Sequence, residues 1–314
     1  MTGGNGGSRA EPWPAVSVII PTRDREGPLR RAIAGILDQE YPGPIECVVV
    51  FDRTPAIPLP RPDARHRTVV ATENTRTPGP AGARNAGIDA ASGELLAFCD
   101  DDDRWLPGKL RHQVQALRAE PEASAVTCGV FVHYRNRAVA RVPRTRLITL
   151  DDLTRSRFTS IHTSTLVVRR RDYMGPIGPL DETMPAGYGE DYEWLLRAAR
   201  WKPLLAVPRP LVRIDWHEAS WFDRRWGTII AGIHRLLEKH PEIEEDPVGL
   251  ARLYGRLAFA HAAEGHAREA RLWSRRTVRL NWRERRAYLA LAVAAGLIRA
   301  RTIVRLAHRT GRGV

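Results

Sequence analysis

Short apolar segments alternate with segments of helical periodicity, and this alternation leaves the chain few possible folds. Apolar runs at residues 16–20, 46–51, 68–71 and 94–99 predict buried strands, and residues 28–39 and 81–92 space their apolar side chains as helices do. The resulting order, β-α-β-β-α-β, predicts an α/β fold whose mostly parallel sheet is covered by helices.

Further along the chain, the same signals predict helices at residues 108–120 and 189–200 and strands at 124–133 and 161–169. Strand signals end near residue 222, and Arg-rich amphipathic helices follow. We therefore expect three parts: a mobile N-terminal tail (1–14), a sheet domain (15–222) and a basic helical region (223–314).

Four consecutive aspartates, Asp100 to Asp103, follow the apolar strand at 94–99. Adjacent carboxylates repel one another, so a shared divalent cation or cationic ligand would favour keeping them together. The alternative is that these acids cap the helix that begins near residue 108. Ligands of parallel sheets bind beyond the carboxyl ends of the strands, and residues 21–24 also lie at such an end.

Three segments together resemble the inverting glycosyltransferases of family 2. They are VSVIIPTRDR (16–25), GPAGARNAGIDAASGELLAFCDDDDRWLPGKL (79–110) and GYGEDYEW (187–194). The resemblance spans roughly residues 15–217 and implies a GT-A fold, with a nucleotide-binding sheet and a DXD metal motif. It also implies transfer of a sugar from a nucleotide diphosphate donor to an acceptor hydroxyl.

The resemblance implies a metal site. Asp100 and Asp102 match the two acids of DXD. The resemblance implies that Asp102 binds the Mn²⁺ or Mg²⁺ that bridges the diphosphate, and that Asp103 supports this site from nearby. His217, in RIDWHEAS (213–220), matches a histidine that approaches the metal or the diphosphate. The alternative for His217 is a purely structural role.

The resemblance also implies which residues contact the nucleotide sugar. They are Pro21, Thr22, Arg23, Asp52, Arg84, Asp100 and Asp101. For Arg84 the alternative is a solvated position on the helix surface. The second strand departs from the family pattern, because Phe51 stands where one of two acids is usual, and this leaves the nucleotide base open.

Glu190 and Asp191 match the family's ED pair. The resemblance implies that Asp191 is the general base that takes the proton of the acceptor hydroxyl, so that one displacement inverts the anomeric centre. The alternative is that both acids only complement the dipole at a helix N-terminus. An alternative function is a catalytically decayed GT-A-like protein that recruits partners or membrane through its basic tail.

The tail carries most of the positive charge, because residues 251–314 contain 15 Arg and only 3 Glu. Its apolar side chains next to arginines are typical of an interfacial helix on anionic lipid: Tyr288, Leu289, Leu291, Val293, Leu297, Ile298, Ile303, Val304 and Leu306. A soluble helical cap is the alternative, and nucleic acid binding is not expected.

The predicted location is the cytoplasm. A further hypothesis is peripheral contact with the inner face of the membrane, because such contact would suit a lipid-linked acceptor. The chain shows no signal peptide pattern, and its three cysteines lack metal-binding spacing.

Overall fold

The computed structural model describes residues 12–134, 137–156, 160–215 and 225–309. Its strands are β1 (Val16–Thr22), β2 (Ile45–Phe51), β3 (Arg67–Glu73), β4 (Leu95–Phe98), β5 (Arg104–Trp105), β6 (Ala125–Tyr134), β7 (Arg137–Arg141), β8 (Leu147–Ile148), β9 (Val167–Arg169) and β10 (Leu204–Asp215). Its helices are α1 (Glu26–Leu37), α2 (Pro80–Ala90), α3 (Lys109–Ala119), α4 (Leu150–Arg155), α5 (Arg170–Asp172), α6 (Glu190–Trp201), α7 (Trp226–Lys239), α8 (Pro247–Glu264), α9 (Ala267–Leu280), α10 (Arg285–Ala294) and α11 (Ala300–Arg309).

The ten strands form one mixed sheet in the order β3-β2-β1-β4-β9-β6-β10-β5, with β7 added beside β6 and β8 beside β10. The first four strands in this order are parallel, whereas β9 runs antiparallel to both of its neighbours. The predicted α/β class and the parallel N-terminal sheet are thus confirmed.

The predicted strand at 161–169 is wrong over most of its length. A short helical turn occupies Thr163–Thr165, and only the last three residues belong to β9. The cause is local bonding: the Thr165 hydroxyl accepts from the His162 amide and donates to the His162 carbonyl. Hydroxyl side chains that bond the nearby backbone compete with the strand ladder in this way.

Side chains alternate across the sheet, so each face has its own core. Val18 and Ile20 face α1 and α3, whereas Ile19 faces the side of α2 and α6. The core around Ile19 continues into α7 and α8 through Ile233 and Leu257. The predicted domain boundary near residue 222 falls outside the described residues and stays a prediction.

Helices α8 to α11 pack around a small second core. Ala258, Ala262, Ala270, Ala290 and Ile303 are buried there. Much of the expected lipid-facing set packs against this core instead, namely Leu289, Val293, Ile298 and Val304, while Tyr288, Leu297 and Leu306 are exposed. No described helix combines the length and hydropathy that a membrane span requires.

A buried carboxylate joins α6 to α7. Glu193 is fully buried, receives two hydrogen bonds from Arg197 and lies 2.7 Å from Lys239 Nζ. Burial alone would raise the pKa of Glu193, but His240, Arg197 and Lys239 lower it well below its usual range.

Replacing Glu193 with Gln is expected to lower the free energy of unfolding by about 3 kcal/mol at neutral pH, because the half-buried Arg197 and Lys239 and the buried His240 lose the buried carboxylate that they share. The low folded pKa means that this stabilisation is complete above the unfolded pKa of about 4.5 and fades as the pH falls below it. Urea unfolding at pH 7 and pH 3 measures both values. Glu238→Gln, on the exposed side of α7, is the control, and equal loss in the two variants would contradict the prediction.

Candidate active site

The sequence-predicted site residues converge at the carboxyl edge of the parallel strands. Thr22 ends β1, Asp52 follows β2, and Asp100 lies two residues beyond the end of β4. Because β1 lies between β2 and β4, these three chain ends are neighbours. Helix α6 brings the acidic pair Glu190 and Asp191 to the same place.

Arg84 links the aspartate run to the acidic pair. Its guanidinium donates to Asp100 at 2.7 Å and to Glu190 at 2.9 Å, and the residue is only 4 % exposed. Burial alone would lower the pKa of Arg84, but the carboxylates of Asp100 and Glu190 raise it above its usual range. Arg84 is therefore a permanent buried cation, and the alternative of a solvated helix residue is wrong.

The acidic pair opens α6 after a glycine-rich bend. Gly187 and Gly189 have φ of 73° and 80°, in the left-handed region that glycine tolerates. Burial raises the pKa of Glu190 to about 7, with the charge of Asp191 adding to the effect and Arg84 opposing it. Asp191 is half-buried, and one of its oxygens accepts from the Tyr192 amide at 2.8 Å.

Helix α7 supports this bend from the C-terminal region. A Cβ at Gly232 would lie 2.5 Å from the Tyr188 ring, so the glycine permits the close approach of α7 to the segment before Glu190. The C-terminal helices thus help to hold the acidic pair in place.

Among the described residues, Asp100, Asp103 and His162 form a cluster that could hold a metal ion. One ligand atom from each residue lies within 4.8 Å of the others. Burial alone would lower the pKa of His162, but the carboxylates of Asp103 and Asp100 raise it to about 9. The imidazolium therefore balances the negative charge of these acids.

Ser164 holds the two acids of this cluster together. Its hydroxyl accepts from the Asp100 amide at 2.9 Å and donates to the Asp103 carboxylate at 2.5 Å. Its carbonyl accepts from the Trp105 indole at 3.0 Å.

Lys109 Nζ lies 3.8 Å from the centre of the Trp105 ring and has no hydrogen-bond partner among the described residues. Burial lowers the pKa of Lys109 to about 8.

The other two aspartates turn towards the first loop. Asp101 accepts from the Thr22 hydroxyl at 2.8 Å, and Arg25 Nη1 lies 3.2 Å from Asp101 and 2.6 Å from Asp102. Burial raises the pKa of Asp101 to about 6, against the effects of Thr22 and Arg25. The predicted metal ligand Asp102 is thus paired with Arg25 and lies outside the Asp100–Asp103–His162 cluster.

The predicted nucleotide contacts lie on both sides of β1. Asp52 is buried and accepts from Asn74 at 2.7 Å and from the Gly79 amide at 3.0 Å. Pro21 is half-buried, and Arg23 is exposed. Phe51, the departure from the family pattern, packs into the core on the α1 side of the sheet.

His217 lies outside the described residues. Sequence reasoning missed His162, Ser164 and Arg25 as site residues. The available signal was the polar run His162 to Thr165 within a segment that otherwise predicts a strand.

The profile of Glycosyl transferase family 2 matches residues 17–175. Succinoglycan biosynthesis protein ExoO of Rhizobium meliloti is 32% identical over 168 residues, which cover 52% of this chain and 47% of that protein. A GalNAc(5)-diNAcBac-PP-undecaprenol beta-1,3-glucosyltransferase of Campylobacter jejuni is 35% identical over 108 residues, covering 32% of this chain and 34% of that protein. The matched region thus spans about half or less of each relative.

Two solved structures share the fold. Residues 1–349 of S. aureus TarS in complex with UDP-GlcNAc superpose with a TM-score of 0.57 at 15% identity, covering 95% of this chain and 92% of that one. The mannosyltransferase PcManGT from Pyrobaculum calidifontis, in complex with GDP-Man and Mn²⁺, gives 0.52 at 20% identity, covering 95% and 80%. These likenesses confirm the GT-A fold.

Replacing Ser164 with Ala is expected to weaken Mn²⁺ binding about 10- to 100-fold, because partners of metal ligands fix the orientation of those ligands. Titration calorimetry measures the dissociation constant. Ser124→Ala is the matched control, since that serine is equally buried but bonds only the carbonyl of Pro203. Unchanged Mn²⁺ affinity in Ser164→Ala would contradict the role assigned to this hydroxyl.

Proposed function

The chain belongs to glycosyl transferase family 2, and on that premise we propose that it is a metal-dependent, inverting glycosyltransferase of the hexosyltransferase type. It moves a sugar from a nucleotide diphosphate donor to an acceptor hydroxyl by a single displacement. The observation that carries the proposal is the Arg84 bridge, which holds Asp100, at the carboxyl edge of the sheet, beside Glu190 of the acidic pair.

The Asp100–Asp103–His162 cluster suits a divalent cation. Two carboxylates and one imidazole are a donor set that Mn²⁺ accepts, and carboxylates also suit Mg²⁺. A cation held there would neutralise charge that develops on the diphosphate leaving group. Binding would require the His162 ring to lose its proton, so metal affinity should rise with pH. Asp102 and His217 remain predicted ligands.

The protein's own groups supply the remaining steps. Thr22 and Asp52 flank the end of β1, where we place the nucleotide, with Pro21, Arg23 and Asp101 around them. Asp191 accepts the proton of the attacking hydroxyl, and Arg84 fixes the neighbouring Glu190 so that the start of α6 keeps its position. Attack from the face opposite the leaving group inverts the anomeric centre.

Family relatives suggest the class of acceptor. The Campylobacter relative carries an undecaprenol-linked substrate in its name, and the two structural neighbours bind UDP-GlcNAc and GDP-Man. We propose a lipid-linked acceptor for this chain, and with it a location in the cytoplasm at the inner face of the membrane. The nucleotide base of the donor is left to experiment.

Replacing Asp191 with Asn should reduce transfer about 10²- to 10⁴-fold, because the amide cannot take the proton, while nucleotide binding persists. A product-release assay with purified nucleotide sugars measures the rate. Asp151→Asn changes another first-turn acid, at the start of α4, and should leave transfer unchanged. Full activity of Asp191→Asn would exclude this residue as the base.

Mn²⁺ together with the correct nucleotide should raise the melting temperature by roughly 2–5 °C at concentrations about 100 times the dissociation constant. UDP, GDP, dTDP and CDP are compared, each with and without metal. Asp103→Asn is expected to abolish the metal-dependent part of the shift, and Asp102→Asn to reduce it less. The reverse order would make Asp102 the principal ligand, and no shift with any nucleotide would favour a decayed site.

A further inference from the structure

Helix α9 presents one half of its surface to solvent, and that half is strongly cationic. Residues spaced three and four apart share a helix face, and the exposed side chains of α9 follow that spacing. The face consists of Arg268, Glu269, Arg271, Leu272, Arg275, Arg276, Arg279 and Leu280, so it carries five positive charges and one negative charge. The opposite half packs on α8 and α10 through the buried residues Ala270, Ser274 and Thr277. We call the exposed set the α9 face.

The arginines of the α9 face have no ion-pair partner in the part of the chain that the structure describes. None of the five forms an ion pair with a carboxylate of the described residues, and Arg276 lies over the Trp273 ring instead. Glu269 is the one acidic residue of α9. Five like charges on 12 consecutive residues repel one another, so an anionic partner would relieve the strain of placing them together.

Large apolar side chains lie among these charges. Leu272 is 47 % exposed and Leu280 37 %, and Trp282, two residues beyond the helix, is 65 % exposed. The hydroxyl of Tyr288 donates to the Trp282 carbonyl, which fixes the turn that presents the indole. Arginine with leucine and tryptophan is the composition of helices that lie in a bilayer interface, where the apolar chains enter and the guanidinium groups bind lipid phosphates.

We propose that the α9 face is the surface by which this protein binds a bilayer rich in anionic phospholipid. This deepens the proposed function and rests on it, because membrane contact would bring the site to a lipid-linked acceptor. It also moves the contact away from α10 and α11, whose apolar residues largely pack inside the helical region. A nucleic acid would use the arginines but gives no role to the exposed leucines and tryptophan.

The test is co-sedimentation of the full chain with vesicles of phosphatidylcholine alone and with vesicles that also contain about 30 mol % of the anionic lipid phosphatidylglycerol. Binding to the anionic vesicles is expected, with little binding to the neutral ones. The triple variant Arg271→Gln, Arg275→Gln, Arg279→Gln should bind at least about tenfold more weakly. The control variant Arg61→Gln, Arg65→Gln, Arg171→Gln removes the same charge from exposed positions of the sheet domain and should bind as the wild type does.

A second variant tests the apolar part of the surface. Trp282→Ser is expected to weaken binding to anionic vesicles and to remove the blue shift of tryptophan fluorescence that accompanies insertion. Equal weakening in the two triple variants would overturn the proposal, as would binding to a DNA duplex but not to vesicles. The vesicle assay needs no donor or acceptor, and the nucleotide-dependent shift of the melting temperature is measured without vesicles. Failure of the membrane proposal is therefore distinguishable from failure of the proposed glycosyltransferase function.

Discussion

The site depends on one buried cation between two sets of acids. Asp100 comes from the end of β4 and Glu190 from the start of α6, and these carboxylates would repel each other if they were brought together unaided. The guanidinium of Arg84 contacts both and stays charged at any pH the protein meets. Loss of Arg84 would leave the buried carboxyl group of Glu190 without its cation and would remove the link between Asp100 and α6, so Arg84 has a structural role in the site.

The acids of the aspartate run have different partners, although they are adjacent in sequence. Asp100 and Asp103 turn towards His162 and Ser164, whereas Asp101 and Asp102 turn towards Arg25. The tight turn after β4 produces this division, and its Asp103 amide donates to the Asp100 carbonyl. The pair Asp100 and Asp103 and the pair Asp101 and Asp102 therefore lie in different environments and can have different functions.

The sequence predicted the N-terminal sheet well, because hydrophobic periodicity and turn residues determine strands and helices from nearby residues alone. The carboxyl ends of parallel strands also meet at one edge of the sheet, independently of the conformation of the loops. The same reasoning placed Thr22 and Asp100 at one edge, whereas only the family resemblance implied that Glu190 belongs to the site. The sequence could not predict that Arg84 would be buried, since burial depends on α6 packing against α2 from 106 residues away. Nor could it predict the turn at Thr163–Thr165. The residues there favour a strand, but their side-chain hydroxyl groups can also bond to the nearby backbone and stabilise a turn.

The shared core between the sheet and α7–α8 also bears on how the chain folds during synthesis. Ile233 and Leu257 belong to the same core as Ile19, yet they leave the ribosome after the whole sheet has been made. At roughly 5–20 residues per second, this core stays incomplete for several seconds. The sheet can pair early, but the core on its α2 side is completed only when the C-terminal helices have been made, and until then its apolar residues are exposed on the nascent chain.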